Sequence, residues 1–523
     1  MSRLRTSLLA GTAAACLATS VSAEILRWGG QRDIFSLDPY SYGDSYTIAF
    51  LNHVYEGLVR YDAELAIEPA LAERWEIIAD DVWRFHLRRD VTFHNGAAFT
   101  AEDVLASLER VSHPDSPLRG NLPAYKSAEI VDDFTIDIAL VGAYPLLLND
   151  LTNIHIFDAD WLRENNALVP TDVSAGVEGY PTFNANGTGP FSVAERVPDS
   201  RTILEVNPDW WDEPQHNLTR IEFTPISSQA TRVAALLSGE IDFAEGAPVQ
   251  DLPRLEAAPN VSVIERTDLR TVMLGFNRKP ELADGRENPF NDLRVREAFA
   301  HALDLDMIQS RVMRGKSRTA GVIVAPEIPG YPADADTPRA FDPEAARALL
   351  QEAGQEGLAF ELVCSNPGLV NEEEICNAMV SMLTRAGFAP TLDIGPPAVQ
   401  APKRSGGLSD TYIIGWANEP MLDSYSILVQ MVRTRDGTAG VFNWGGWSYP
   451  EIDALIDAAA VELDRDRRLE LQAEALRMVR EEVILIPFHQ QPMAWATSSR
   501  VAEVLAQADN KPRHWLTRIA NSN

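Results

Sequence analysis

The segment "GWANEPMLDSYSI", Gly415 to Ile427, sets two carboxylates, Glu419 and Asp423, just beyond the apolar run "TYIIGW". A strand-like run opening into an aromatic residue and two acids allows two outcomes. Exposed on a loop, the acids stay solvated and do little, because surface ion pairs contribute about 0–1 kcal/mol. Enclosed in a cleft, either acid would hold a cation such as an ammonium group, with Trp416 shaping the wall beside it. Paired carboxylates can also carry out glycoside hydrolysis. With 76 acidic residues in the chain, however, such pairs arise from composition alone.

Other catalytic signatures are missing. The chain holds no Gly-x-Ser-x-Gly elbow and no Walker A loop. "GTGPFS", Gly187 to Ser192, lacks the third glycine of a dinucleotide loop, and Pro190 removes an N–H that a phosphate would use. It reads as a turn followed by a strand. None of the nine histidines pairs with another at the helical i, i+4 spacing of a metal site, and His489 in "PFHQQ" reads as a packed residue. The expectation is therefore a protein that is not an enzyme, with no metal and no cofactor.

The first 23 residues supply a basic start (Arg3, Arg5), a short apolar stretch from Leu8 to Ala18, and the small residues Val21-Ser22-Ala23. This pattern reads as an export signal cleaved after Ala23, and the apolar stretch is too short to span a bilayer. A second reading makes Cys16 a lipoprotein cysteine, although Ala13 stands where a leucine would be expected and no Ser/Gly tether follows. No later apolar run reaches membrane-spanning length. The formal charge is −31, and loss of Arg3 and Arg5 makes it more negative still. Such a field repels nucleic acid. Cys364 and Cys376, in "VCSNPGLVNEEEIC", are the only cysteines beyond the signal. In an exported chain an isolated close pair reads as a structural disulfide.

These residues must be positioned by alternating strands and helices. "DVWRFHLR" alternates at period two, with Val82, Phe85 and Leu87 among Arg84, His86 and Arg88. "FTAEDVLASLERV" predicts a helix capped by Thr100, with Asp103 completing a capping box. "DPEAARALLQEAG" predicts another between the cap Asp342 and the stop Gly354. "NEEEICNAMVSMLTRAG" repeats the logic with Asn371 as cap, Glu374 as its partner and Gly387 as stop, and the strands "AFELVCS" and "APTLDIG" around it form a βαβ unit. Two amphipathic helices, in "SYPEIDALIDAAAVEL" and "RRLELQAEALRMVREEV", lead into the strand "VILIPFH". The class is mixed α/β with several sheets. Trp28, Trp210, Trp211, Trp416, Trp444 and Trp447 sit beside turns, where aromatics either pack or line a cleft.

A series of segments taken in order resembles the extracellular solute-binding proteins of ATP-driven importers, family 5, the class of dipeptide-, oligopeptide- and nickel-binding proteins. They are "SLDPYSYGDSYTIAFLNHVYEGLVRYD", "PALAERWEIIADDVWRFHLRRDVTFHNGAAFTAEDVLASL", "GTGPFSV", "NPDWWDEP", "NPFNDLRVREAFAHALDLDMI" and "YPEIDALID…IPFHQQ". The cysteine pair also resembles one found in a bacterial subgroup of that class. The resemblance implies a periplasmic binding protein fold, with two hinged lobes plus an inserted third lobe. Lobe I would comprise residues 24–46, 186–270 and 495–523, lobe II the insertion 47–185, and lobe III residues 271–494. The crossing strands would lie near "RTVMLGF" and "QQPMAWA".

The resemblance also implies a periplasmic protein, expected to be a monomer, that engulfs a peptide or peptide-like small solute and hands it to an inner-membrane ABC permease. In peptide-binding members an Asp shortly after this Gly-Trp anchors the ligand's ammonium. Glu419 holds that spacing here, and Asp423 stands where the class often has a second acid. Oligopeptide members hold the ligand's carboxylate with basic residues upstream, where Arg404 lies, although a solvated loop arginine is the alternative reading. No histidine falls in the segment, so nickel is not expected. The competing expectations are an exported hydrolase on the same fold, or a non-peptide solute such as an opine, a sugar or a metal chelate.

Overall fold

The computed structural model describes residues 24–282, 284–366 and 368–520. The expected signal segment, Ala23 and Cys16 lie outside them. Among the described residues no helix is long and apolar enough to cross a membrane.

Two long antiparallel strands, Val261–Phe276 and Leu485–Ser498, run through the middle of an eleven-stranded sheet. On one side the order continues through Phe243–Ala244, Ile25–Gly30, Arg220–Pro225, Arg201–Val206 and Phe191–Val197. On the other side are Thr411–Trp416, Ala359–Ser365 and Ala389–Gly395. The ladder between the two long strands is interrupted. Val261 to Thr267 pair with Ser498 to Pro492, pairing stops, and it resumes at Thr271 opposite Gln490. Asp268, Leu269 and Arg270 lie in the break. Thr411–Trp416 pairs only beyond it, with Thr271 to Phe276. Each long strand thus serves one half of the sheet before the break and the other half after it, close to the crossings expected from sequence.

The expected βαβ unit is present: Ala359–Ser365 runs parallel to both Ala389–Gly395 and Thr411–Trp416. The cap on its helix, Glu372–Arg385, differs from expectation. Asn371 sits in the left-handed region (φ 54°), and its side-chain amide donates to the Val312 carbonyl at 3.0 Å. Glu372, not Glu374, turns back, accepting the Ser365 N–H at 2.6 Å and the Leu369 N–H at 2.8 Å. A carboxylate at the start of the helix also meets the positive end of its dipole. The helices Ala101–Ser112 and Pro343–Glu352 form with the caps foreseen at Thr100, Asp103 and Asp342.

Cys364 at the end of its strand and Cys376 in the helix are buried and joined by a disulfide across twelve positions. Closing so short a loop contributes roughly 3 kcal/mol. Replacing both cysteines by serine, or reducing the bond in the wild type, should therefore lower the unfolding free energy by about that amount and the urea midpoint with it. An unchanged midpoint in both cases would show that the bond adds nothing to stability.

A second sheet of four antiparallel strands has the order Ala72–Ala79, Val82–Leu87, Thr135–Leu140, Tyr125–Asp132. In Val82–Leu87 the buried face is Trp83, Phe85 and Leu87, so Trp83 takes the inward place while Val82 is only half-buried. This region is bound to the N-terminal segment through Asp38 of the Leu-Asp-Pro turn. Asp38 receives the Arg110 guanidinium as a fork, at 2.8 and 2.6 Å, and both side chains are buried. Two further motif segments meet the same one at Glu56, which accepts from Thr188 (2.9 Å), Trp211 (2.9 Å) and Trp210 (3.2 Å). Trp210 and Trp211 therefore brace this structural joint. Gly187 and Gly189 permit the close approach of the chain, because a Cβ on either would fall 2.0 or 2.7 Å from the Val54 carbonyl oxygen.

One apolar cluster runs continuously from Leu26 through the four-stranded sheet to Trp495 and Ile519. Residues 272–488 build separate clusters on the two faces of the other half of the long sheet.

Candidate functional site

Where the apolar clusters face one another the chain leaves a cavity of about 350 Å³. Its wall draws on Gly43 to Ser45 near the N-terminus, Asn121 and Asn153 from the 47–185 region, Arg270 from the ladder break, Gly415 to Pro420, and Lys511. A chamber of about 160 Å³ adjoins it and shares Ser45, Arg270, Ala417, Glu419 and Lys511. Trp28, Tyr46 and Phe50 form its apolar side, and Glu245 and Asp268 its acidic side.

Glu419 is delivered by the strand Thr411–Trp416, and the residues just after it are anchored from across the cavity. Tyr61 and Asn149 donate to the Met421 carbonyl at 2.8 and 2.7 Å. The Glu419 side chain is 15 % exposed, and its Oε1 has no hydrogen-bond partner among the described residues. The Lys511 ammonium, on a side chain 9 % exposed, lies 3.7 Å from that oxygen. Burial raises the Glu419 carboxyl above the usual range, while Lys511 opposes the rise; Asp509 and Asp268 add to it and Arg270 subtracts. Burial likewise pushes Glu245 up to about 7 and raises Asp268, which is held by Gln491 at 2.9 Å.

Trp416 lines the cavity, its ring edge-on to Phe442 and its N–H toward the Ser426 hydroxyl at 3.3 Å. Asn418 lines it too, from a left-handed backbone (φ 58°). It is fully buried, and neither polar atom of its side chain has a partner among the described residues.

The other two residues expected from sequence lie elsewhere. Asp423 is 1 % exposed and fully engaged: Oδ2 receives Arg468 at 2.8 Å, and Oδ1 receives Gln472 at 2.8 Å and the Tyr425 N–H at 2.9 Å. Arg404 sits on the helix Pro397–Ser405 behind the sheet and donates to the Ile413 carbonyl at 3.1 Å. Neither lines the cavity or its side chamber. Sequence reasoning missed Arg270, Lys511, Asp268 and Asn418. The only signal for them is that Asn418 neighbours Glu419 and that "TDLR" precedes an expected crossing strand.

Among the described residues no group of three His, Cys, Asp or Glu side chains has the geometry to hold a metal ion. The site's chemistry is thus the pairing of opposite charges in a cleft: two carboxylates with a free oxygen, Glu419 in the cavity and Glu245 in the side chamber, the cations Lys511 and Arg270, and the unpartnered Asn418 amide.

A family model described as "Bacterial extracellular solute-binding proteins, family 5 Middle" matches residues 66–438. A glutathione-binding protein of Salmonella choleraesuis is 25 % identical over 477 residues, 89 % of each chain. The dipeptide-binding protein of Escherichia coli is 25 % identical over 505 residues, covering 91 % of this chain and 90 % of its own. Among solved structures, HbpA2 from Haemophilus parasuis superposes with a TM-score of 0.81 at 24 % identity, over 95 % of this chain and all of its own.

Proposed function

The chain belongs to the bacterial extracellular solute-binding proteins of family 5, and from that premise we propose that it captures a peptide-like, zwitterionic small solute and delivers it to an inner-membrane ABC permease. One observation carries the choice of solute: a buried carboxylate with a free oxygen, Glu419, shares one cavity with the cations Lys511 and Arg270. Glu419 takes the amine, the cations take the acid, and Trp416 walls the space between. A volume of about 350 Å³ falls at the small end of ligand pockets, which span roughly 300–1,000 Å³. The relatives that bind glutathione and dipeptides carry solutes of this size and charge pattern.

The interrupted ladder supports a hinge. Segments on the two sides of the break contribute opposing walls, so ligand contacts made across the cavity favour the closed arrangement, which a permease can distinguish from the open one. We take the three lobes to be residues 24–46 with 186–270 and 495–523, residues 47–185, and residues 271–494. Residues 1–23 serve as the export signal, and the mature protein works in the periplasm as a monomer.

A thermal-shift screen of di- and tripeptides, α- and γ-linked, tests the reading. A true ligand at a hundredfold excess over Kd should stabilise the protein by roughly 2.7 kcal/mol and be recovered unchanged. Small-angle scattering of that complex should give a smaller radius of gyration than the free protein. If no peptide shifts the melting temperature, the solute belongs to another class.

A further inference from the structure

We infer that the side chamber is a pocket for a second cation of the solute, carried on an apolar stem and held by Glu245, so that the solute bears a net positive charge. The inference rests on the proposed function and narrows its solute.

The residues that belong to the chamber alone carry one sign of charge. Among the described residues its basic lining is Arg270 and Lys511, and both lie on the wall it shares with the main cavity. Glu245, Asp268 and Asp509 line the chamber and not the cavity. Two of these three acids are already satisfied. Asp509 receives Arg513 at 3.0 and 2.8 Å, and Asp268 receives Gln491 at 2.9 Å and the Arg270 backbone N–H at 3.0 Å.

Glu245 is not. It is 3 % exposed, and its Oε2 has no hydrogen-bond partner among the described residues. Arg232 acts on it from behind the wall, but this guanidinium donates to the carbonyls of Ile226, Glu245 and Gly246 rather than to the carboxylate. Tyr46 and Trp28 also favour its ionised form. A buried carboxylate with an open oxygen is costly to leave alone, and a charged donor is its strongest partner.

The opposite side of the chamber sets the shape of that donor. Trp28, Tyr46 and Phe50 give it an apolar, aromatic wall. A methylene stem packs on such a wall while its charged end reaches the acid, as long basic side chains do, and ring faces attract the cation further. The volume of about 160 Å³ is several times the roughly 30 Å³ share of one water molecule, which suits a side chain rather than a bare ion. The chamber opens beside Glu419, which takes the solute's amine, so the two open carboxylates hold two separate cations of one molecule. The solute's own carboxylate goes to Lys511 and Arg270 and leaves the chamber to the second cation.

Pairs of dipeptides test this directly. Lys-Ala and norleucyl-alanine differ by one terminal ammonium, and so do Ala-Lys and alanyl-norleucine. Calorimetry at pH 7.5, above the value of about 7 to which burial pushes the Glu245 carboxyl, should show the basic member of at least one pair binding the wild type about tenfold or more tightly than its neutral analogue. Glu245→Gln should bring that ratio close to one. Equal affinities within both pairs, or a preference for the norleucine members, overturn the inference while leaving the proposed function standing. A cation preference that survives in Glu245→Gln overturns the assignment of the second cation to Glu245. Binding of none of the four overturns both readings. The comparison on the wild type needs no variant to fold.

Discussion

Asp423→Ala should lower stability by about 3–5 kcal/mol, the range for removing one partner of a buried ion pair, and leave ligand affinity in the folded fraction unchanged. The loss comes mostly from Arg468. Its side chain is 8 % exposed, and it would keep its charge with no carboxylate to meet it. Gln472 would lose its acceptor as well. Chemical denaturation measures the first quantity, and calorimetry on the folded variant the second. Asp423→Asn keeps the shape and one acceptor, so its effect should be smaller. If affinity for an amine falls while stability holds, Asp423 is the ligand's anchor and the assignment of that role to Glu419 is wrong.

Glu419→Gln should weaken an amine-bearing solute at least about thirtyfold, near 2 kcal/mol. Truncating one partner of a buried charge pair costs roughly 2–5 kcal/mol, because the other is left buried and unpaired. Two charges are affected here, the ligand's ammonium and Lys511. The same carboxyl gives a signed pH dependence. Its pKa is raised by burial, against the pull of Lys511 and Arg270 and with Asp509 and Asp268 facing it. Affinity should rise with pH as Glu419 loses its proton. The free protein's stability should move the other way: a raised folded pKa means that the folded state holds more protons, so this group's contribution is fully present below the unfolded pKa and is lost as pH rises through the folded one. Glu419→Gln should flatten both trends. An affinity independent of pH in the wild type would remove Glu419 from the site.

Much of the scaffold was legible because it depends on local chemistry. The Thr100/Asp103 box, the Asp342 cap and the flanks of the disulfide are decided within a turn or two of chain. Spacing after "TYIIGW" likewise located Glu419, since a strand end fixes where the next few residues emerge. Spacing could not separate Glu419 from Asp423. Both are acids in one loop, and what divides them is Arg468, which a helix distant in sequence brings beneath Asp423. Arg270 and Lys511 were illegible for the same reason: each is an ordinary basic residue until the fold sets both beside Glu419. Asn371 takes the N-cap position as expected, but its backbone is left-handed and its amide is turned to the Val312 carbonyl, so its side chain makes no cap bond.

If the proposed hinge lies at the gap in pairing between Thr267 and Thr271, one wall of the cavity stands on its fulcrum. Arg270 lies in that gap, so a pull on its guanidinium would act where a small displacement swings the far rim furthest. Grip and gesture then become separable. A molecule that satisfies Glu419 but stops short of Arg270 would be held without turning the fulcrum, and the permease would meet a loaded protein that still looks empty.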